Sequence, residues 1–197
     1  MRILLFSDIH SDARALEAIV ASPADQYFAV GDLVNWGRGL DAIGEILKPL
    51  GAKLSVIPGN HESAAEIATF CGRYGFIDMH GKSVRLGKYQ MAALGYSNPT
   101  PFNTPGEYTE EEIARHLEPF ASLSPLILVC HCPPIRTPLD AGPGGRHFGS
   151  TAIAAFIEEY QPEWFFCGHI HEAAGTECSL GRTRARNLGK KGFLLEI

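Results

Sequence analysis

The chain of 197 residues has no apolar run approaching the ~18–20 residues that a helix needs to span a bilayer. A helical membrane protein is therefore excluded. The N-terminal apolar stretch Ile3-Leu4-Leu5-Phe6 is too short for a secretory signal core and gives way at once to Ser7, Asp8 and His10. Cysteine is sparse: Cys71, Cys130, Cys132, Cys167 and Cys178 form an odd set without the spacing of a disulfide framework. Free thiols in a reducing cytoplasm are expected. There is no basic excess either, since 17 Lys and Arg face 22 Asp and Glu for a formal net charge of -5. Bulk charge thus draws in neither nucleic acid nor an anionic membrane, and neither is an expected partner. Internal repeats, low-complexity tracts and linkers are missing as well, so one domain over residues 1–197 is expected.

What the chain does contain is a globular composition, 45% hydrophobic and 20% charged. Arg2–Phe6, Tyr27–Val30 and Lys53–Ile57 read as buried strands, each followed by a segment with apolar residues at helical spacing. Ser11 or Asp12 caps the first helix, with Ala15, Leu16, Ile19 and Val20 on one face. Leu40, Ile43, Ile46, Leu47 and Leu50 mark the second helix, and residues 63–74 the third. Strand and helix repeated three times predict a parallel sheet covered by helices. The middle differs: Lys82–Leu86 and Tyr89–Leu94 flank Gly87-Lys88 as a hairpin. Residues 97–107 hold three prolines, two asparagines and a glycine, too many breakers for regular structure. Thr109 with Glu112 predicts a capping box, Leu126–Cys130 a strand, 132–149 a long loop and Thr151–Tyr160 a helix. Trp164–Cys167, Thr183–Asn187 and Gly192–Ile197 read as closing strands.

Five short segments place metal-binding side chains immediately after such strands: Asp8-Ile9-His10, Gly31-Asp32, Gly59-Asn60-His61-Glu62, His131 and Gly168-His169-Ile170-His171. Ligands of open α/β sheets gather outside the carboxyl ends of parallel strands. Asp8, His10, Asp32, Asn60, His131, His169 and His171 supply seven oxygen and imidazole donors, more than one ion uses. If one carboxylate bridges, two ions ~3.5–4 Å apart each gain four ligands, an arrangement that clamps both oxygens of an in-line displacement at phosphorus. Mixed carboxylate and imidazole donors suit Mn, Fe or Zn. Asp8 and His10, two apart in a locally extended segment, point to one side. Gly31 lets Asp32 turn back toward the first strand, and Gly59 permits an unusual backbone angle before Asn60.

Singly, each residue has a plainer reading. Asp8 and Asp32 cap helices or turns, and a lone histidine is usually a surface or core residue. Cys130-His131-Cys132 tempts a zinc reading, but strand alternation points the two cysteines one way and His131 the other. Asn35, Trp36 and Arg38 follow Asp32 and are candidate pocket residues. Arg146, in the glycine-rich stretch 142–146, is a candidate phosphate contact on a mobile loop with little apolar material to anchor it. Arg182, Arg184 and Arg186 alternate as a solvated strand face does.

The ordered set Asp8-x-His10, Gly31-Asp32, Gly59-Asn60-His61-Glu62, His131 and Gly168-His169-x-His171 resembles the signature of the calcineurin-like metallophosphoesterase superfamily. The segment from His131 through Pro133-Pro134 and Gly149-Ser150 is similar to a compact bacterial branch of it. The resemblance implies an α/β fold, a four-layer α-β-β-α sandwich of two mixed sheets flanked by helices. It implies one ion on Asp8, His10, Asp32 and His171 and another on Asp32, Asn60, His131 and His169, with His61 contacting phosphate and assisting the leaving group. The expected function is hydrolysis of a small phosphodiester or phosphomonoester by a metal-bridging hydroxide. Alternatives are a phosphoprotein phosphatase or a non-catalytic metal-binding regulatory or scaffold protein on the same fold.

Overall fold

The computed structural model describes residues 1–197 and contains two β-sheets packed face to face. In chain order the elements are β1 (Arg2–Phe6), α1 (Ala13–Ala21), β2 (Gln26–Val30), α2 (Leu40–Leu47), β3 (Leu54–Ile57), α3 (Ala64–Tyr74) and β4 (Ile77–Asp78). They continue with β5 (Lys82–Leu86), β6 (Tyr89–Leu94), α4 (Glu110–Leu117), β7 (Leu126–Cys130), α5 (Thr151–Tyr160), β8 (Trp164–Cys167), β9 (Glu177–Leu180), β10 (Thr183–Asn187) and β11 (Phe193–Glu196).

The first sheet has the order β11-β1-β2-β3-β4, parallel except where β11 runs antiparallel to β1. The second is β5-β6-β7-β8-β10-β9, parallel at its centre and antiparallel at both edges. Both sheets are mixed. The central strands read as continuous apolar runs because both of their faces are buried. Along β1, Ile3 and Leu5 face the other sheet, whereas Leu4 and Phe6 face the helices. Along β7, Ile127 and Val129 meet the first sheet, and Leu126, Leu128 and Cys130 meet the cluster that includes Ile113 of α4 and Ile153 of α5. Three apolar layers result, one between the sheets and one under each set of helices, and they give the expected α-β-β-α sandwich.

The helices begin where their side chains can satisfy free backbone N–H groups. Asp12 caps α1, Ser150 caps α5, and Ser63 with Glu66 and Thr109 with Glu112 form capping boxes on α3 and α4. The helical spacing that runs on to Leu50 breaks after Leu47. Pro49 opens a 3₁₀ turn and Gly51 turns left-handed at φ 48°. Two strands are not anticipated by the sequence: β4 has only two residues, and β9 contains Glu177 and Ser179 among half-exposed neighbours. Short edge strands carry too few residues to show a period. No helix is long and apolar enough to cross a membrane.

Candidate metal centre

All seven predicted donors converge at the carboxyl ends of the parallel strands. Asp8 and His10 follow β1, Asp32 follows β2, Asn60 follows β3, His131 follows β7, and His169 and His171 follow β8. The extended conformation expected for residues 8–10 is not what brings Asp8 and His10 together. Asp8, His10, Asp32 and His169 all sit in the left-handed region, at φ 58°, 47°, 53° and 70°, where a non-glycine residue needs a reason. Backbone bonds from Asp8 N to Gly31 O and from His10 N to Asp32 O lock the first two loops together. Gly31 has φ +84°, and a Cβ there would lie 2.5 Å from Gly59 and 2.6 Å from His131 Nδ1. Gly59 itself is not left-handed. Its requirement is space, because a Cβ would collide with Asp32 Oδ1.

Asp8, His10 and His171 bring their donor atoms within 4.8 Å of one another, and so do Asp32, His131 and His169. Asp32 Oδ2 stands between the two groups, 3.7 Å from His10 Nε2 and 3.5 Å from His131 Nε2. Asn60 Oδ1 completes the second group, 2.8 Å from His169 Nδ1 and 3.2 Å from His131 Nε2. His10 Nε2 and His171 Nε2 face each other at 2.9 Å, and His171 Nε2 is 3.7 Å from Asp8 Oδ1. His169 and His171, two apart in sequence, thus serve different groups.

The chemistry of this set fits metal ions. His131 is fully buried and its Nδ1–H donates to the Val30 carbonyl at 2.8 Å. The Nε2 lone pair of the neutral ring therefore confronts oxygen lone pairs of Asn60 and Asp32, a contact that only a cation makes favourable. A proton can play that part. Burial alone pushes the His131 imidazole down, but the charge of Asp32 and a hydrogen bond to it outweigh this and raise its pKa to about 9. The neighbouring His169 is depressed to about 4 by burial and by His131. Burial opposes ionisation of Asp32 as well, yet His131, His10 and His61 hold its carboxyl well below the usual range.

Several supporting residues carry no metal-ligand signal in the sequence. Glu62 is completely buried and accepts from the backbone N–H groups of Asp32, Val34 and Gly59, at 3.1, 3.0 and 2.9 Å, tying two donor loops together. Burial and the nearby Asp32 charge push its carboxyl up to about 8. Thr104 Oγ1 accepts from Asn60 Nδ2 at 3.3 Å and donates to Glu107, so the Asn60 amide keeps its oxygen toward His131 and His169. Asn187 Nδ2, buried on β10, donates to the carbonyls of Leu139, Gly168 and Ile170. Glu62 belongs to the Gly59–Glu62 segment that the sequence singles out; Asn187 lies far from any motif.

Beside the donors opens a cavity of about 670 Å³, whose lining includes His10, Asp32, Asn60, His61, His169 and His171. Arg146 lines it too. Asn35 and Arg38 do not. Asn35 lies behind the metal group instead, where its Oδ1 accepts from His10 Nδ1 at 2.8 Å and turns the His10 Nε2 inward. Arg38 pairs with Asn35 through a backbone bridge of the same turn and is exposed. Trp36 is exposed, and its ring packs edge-on against His61. Cys130 and Cys132 point into the α4–α5 layer while His131 faces the donors, so no cysteine joins the cluster. All five cysteines are free.

Two mixed sheets in a helix-flanked sandwich, with paired carboxylate and imidazole groups at one end, define a metal-binding α/β protein. Residues 1–173 match the calcineurin-like phosphoesterase family, and the chain belongs to it. Membership supports metal-dependent hydrolysis of phosphate esters as the general activity and implies a dinuclear divalent centre as its cofactor. The chain is 32% identical over 205 aligned positions to the uncharacterized protein MJ1162 of Methanocaldococcus jannaschii, covering 99% of this chain and 91% of that one. Among solved structures, it superposes on TT1561 of Thermus thermophilus with a TM-score of 0.69 at 19% identity, over 96% of this chain and 90% of the other. A dimetal phosphatase from Danio rerio gives a TM-score of 0.68 at 14% identity, over 96% and 88%. At these identities the structural likeness is one of fold.

Proposed function

We propose that the protein is a dinuclear hydrolase of small phosphodiesters or phosphomonoesters. Asp8, His10, Asp32 and His171 hold one ion and Asp32, Asn60, His131 and His169 the other. The observation that carries this reading is the position of the Asp32 carboxylate, within 3.7 Å of an imidazole nitrogen of each group. Mn, Fe or Zn ions held by these residues would supply Lewis-acid charge to phosphoryl oxygens and lower the pKa of a bound water. The chain's own contribution centres on His61. Its Nδ1 accepts from the Trp36 backbone N–H at 3.3 Å, which leaves the ring proton on Nε2. His61 lines the cavity, and its backbone N–H is bound to Asp32 Oδ1 at 3.0 Å. As the bond from phosphorus to the alkoxy oxygen breaks, His61 Nε2–H donates a hydrogen bond to that oxygen, which takes its proton from water. Arg146 on the cavity wall offers paired N–H donors to a substrate oxygen. The free cysteines suit work in the reducing cytoplasm.

The test is turnover of p-nitrophenyl phosphate and bis-p-nitrophenyl phosphate by protein reconstituted with Mn²⁺, Fe²⁺ or Zn²⁺. Hydrolysis of one or both esters, abolished by a chelator, is expected. His61→Ala should keep its metal content and lose on the order of 10²–10⁴ in rate on alkyl esters, with a smaller loss on the p-nitrophenyl esters. Two bound ions without turnover of either ester would identify a metal-binding scaffold instead.

A further inference from the structure

Asp140 is a completely buried carboxylate with no part in holding metal. It sits in the loop 132–149 and accepts four hydrogen bonds from that same loop. The donors are the backbone N–H groups of Arg136 (3.2 Å), Thr137 (2.9 Å) and Gly149 (3.0 Å), and His147 Nδ1–H (2.7 Å). Burying a charge is costly unless its lone pairs are filled, and here they are filled entirely by groups that fix the loop's course. Because an ionised carboxylate only accepts, Asp140 takes the Nδ1–H of His147, and the Nε2–H of the imidazolium is the donor left for an anion. His147 lines the cavity beside the metal donors, together with Arg146, whose guanidinium lies 5.9 Å from the Phe148 ring centre.

Much of the rest of this wall is apolar, with Asn98 and Thr100 as its polar members. Pro99, Pro101 and Phe102 come from one loop, and Phe148 from the other. Phe102 is 72% exposed, with its ring at the mouth of the cavity. A phosphoryl group alone fills only a fraction of about 670 Å³. Apart from Asp32 at the metal groups, the one acid in the lining is Glu172, next to His171. The outer wall therefore presents an apolar stretch that ends in a guanidinium and an oriented imidazole.

We propose that Arg146 and His147, held by Asp140, form a second anion subsite, so that preferred substrates are phosphate esters whose organic group has an apolar spacer ending in a carboxylate or a second phosphate. The proposal rests on the phosphoesterase reading for the inner phosphoryl group. Asp140 is a positioning residue; His147 and Arg146 touch the substrate.

Non-hydrolysable ligands separate the two readings. Metal-loaded protein is titrated calorimetrically with propylphosphonate, 3-phosphonopropanoate and propane-1,3-bisphosphonate. The two-anion ligands should bind at least about tenfold tighter than propylphosphonate, and whichever binds tighter identifies the outer group as carboxylate or phosphate. His147→Ala and Arg146→Ala should each remove several-fold of that advantage, and the double variant nearly all of it. Both side chains are exposed, so neither change threatens the fold. Asp140→Asn should act like His147→Ala, with ¹⁵N shifts showing that the His147 proton no longer stays on Nδ1. Equal affinities for one- and two-anion ligands in the parent protein, or an advantage unchanged in both His147→Ala and Arg146→Ala, would overturn the subsite. Failure of p-nitrophenyl ester turnover alongside a retained two-anion preference would instead overturn the hydrolase reading.

Discussion

At the scale of single residues, Asp32 and His80 show how burial and charge set measurable properties. Asp32 faces imidazoles of both donor groups, so Asp32→Ala should reduce bound metal from about two ions per chain to one or none. Turnover should fall by more than about 10²-fold, since even partners behind the ligands cost 10–100-fold. Metal analysis and kinetics at saturating metal check both. His80 lies away from the metal groups: its Nδ1 accepts from the Gly95 N–H at 3.0 Å and its Nε2–H donates to Tyr108 at 3.1 Å. Burial lowers its pKa from 6.5 to about 4. The unfolded chain therefore takes up the His80 proton first on acidification. The neutral imidazole's contribution is complete above pH 6.5 and is lost progressively between 6.5 and about 4, by up to about 3 kcal/mol. Denaturant unfolding of the parent and of His80→Gln from pH 7.5 to 4.5 should show a loss larger in the parent by this amount, since His169 contributes to both. Parallel curves would mean that the neutral ring is not the source. The candidate metal ligands were legible as residues because they fall in a spaced, ordered series. The left-handed backbone that aims four of them was not, because no pattern of side-chain types encodes a φ angle at aspartate or histidine.

At the scale of elements, strands buried on both faces and helices with caps were readable because their signals are local and periodic. Thr109 with Glu112 announced α4, and the hairpin β5–β6 followed from Gly87 between two strand-like runs. Contacts between distant elements left no such trace. Asn187 at the end of β10 holds the carbonyls of Leu139, Gly168 and Ile170, bracing both the loop that carries His169 and the loop that carries Arg146. Asn187→Ala leaves the Leu139 carbonyl without its donor, while the Gly168 and Ile170 carbonyls each keep a backbone N–H, which should cost about 1–3 kcal/mol in unfolding free energy. Hydrogen exchange should quicken at 138–140 and 168–171 while β1 and β2 stay protected. A uniform increase across all strands would mean that Asn187 supports the fold at large. The expectation that the loop 132–149 has little to anchor it is also corrected at this scale. Its anchor is a charge, Asp140, together with buried Leu139, Pro133 and Pro134.

At the scale of the whole molecule, ions that bind the folded chain and not the unfolded one raise its stability by mass action, by about 2.7 kcal/mol for each site at 100 times its dissociation constant. Thermal unfolding in a chelator and in a series of Mn²⁺ or Zn²⁺ concentrations should show a transition that climbs with metal, and the climb should shrink in Asp32→Ala. A transition indifferent to metal would mean that the donors do not act together. The two-sheet architecture was foreseeable in outline, but the return of β11 to the edge of the first sheet, after the strands of the second, was not. Only a pairing across nearly the whole chain, Arg2 with Glu196, defines it.

The placement of the donors bears on how the protein acquires its metal. Asp8, His10, Asp32 and Asn60 come from the first sheet, and His131, His169 and His171 from the second. On the proposed assignment each ion would need groups from both. On that assignment a nascent chain can assemble neither site until residue 169 has emerged and the layers have docked. Selection among competing metals is then made by a finished, sterically set cage and not by a pliant peptide, which would surrender to whichever ion lies highest in the Irving–Williams series. Metallation becomes the last act of maturation, and the ion pool of the compartment where folding ends decides which enzyme results.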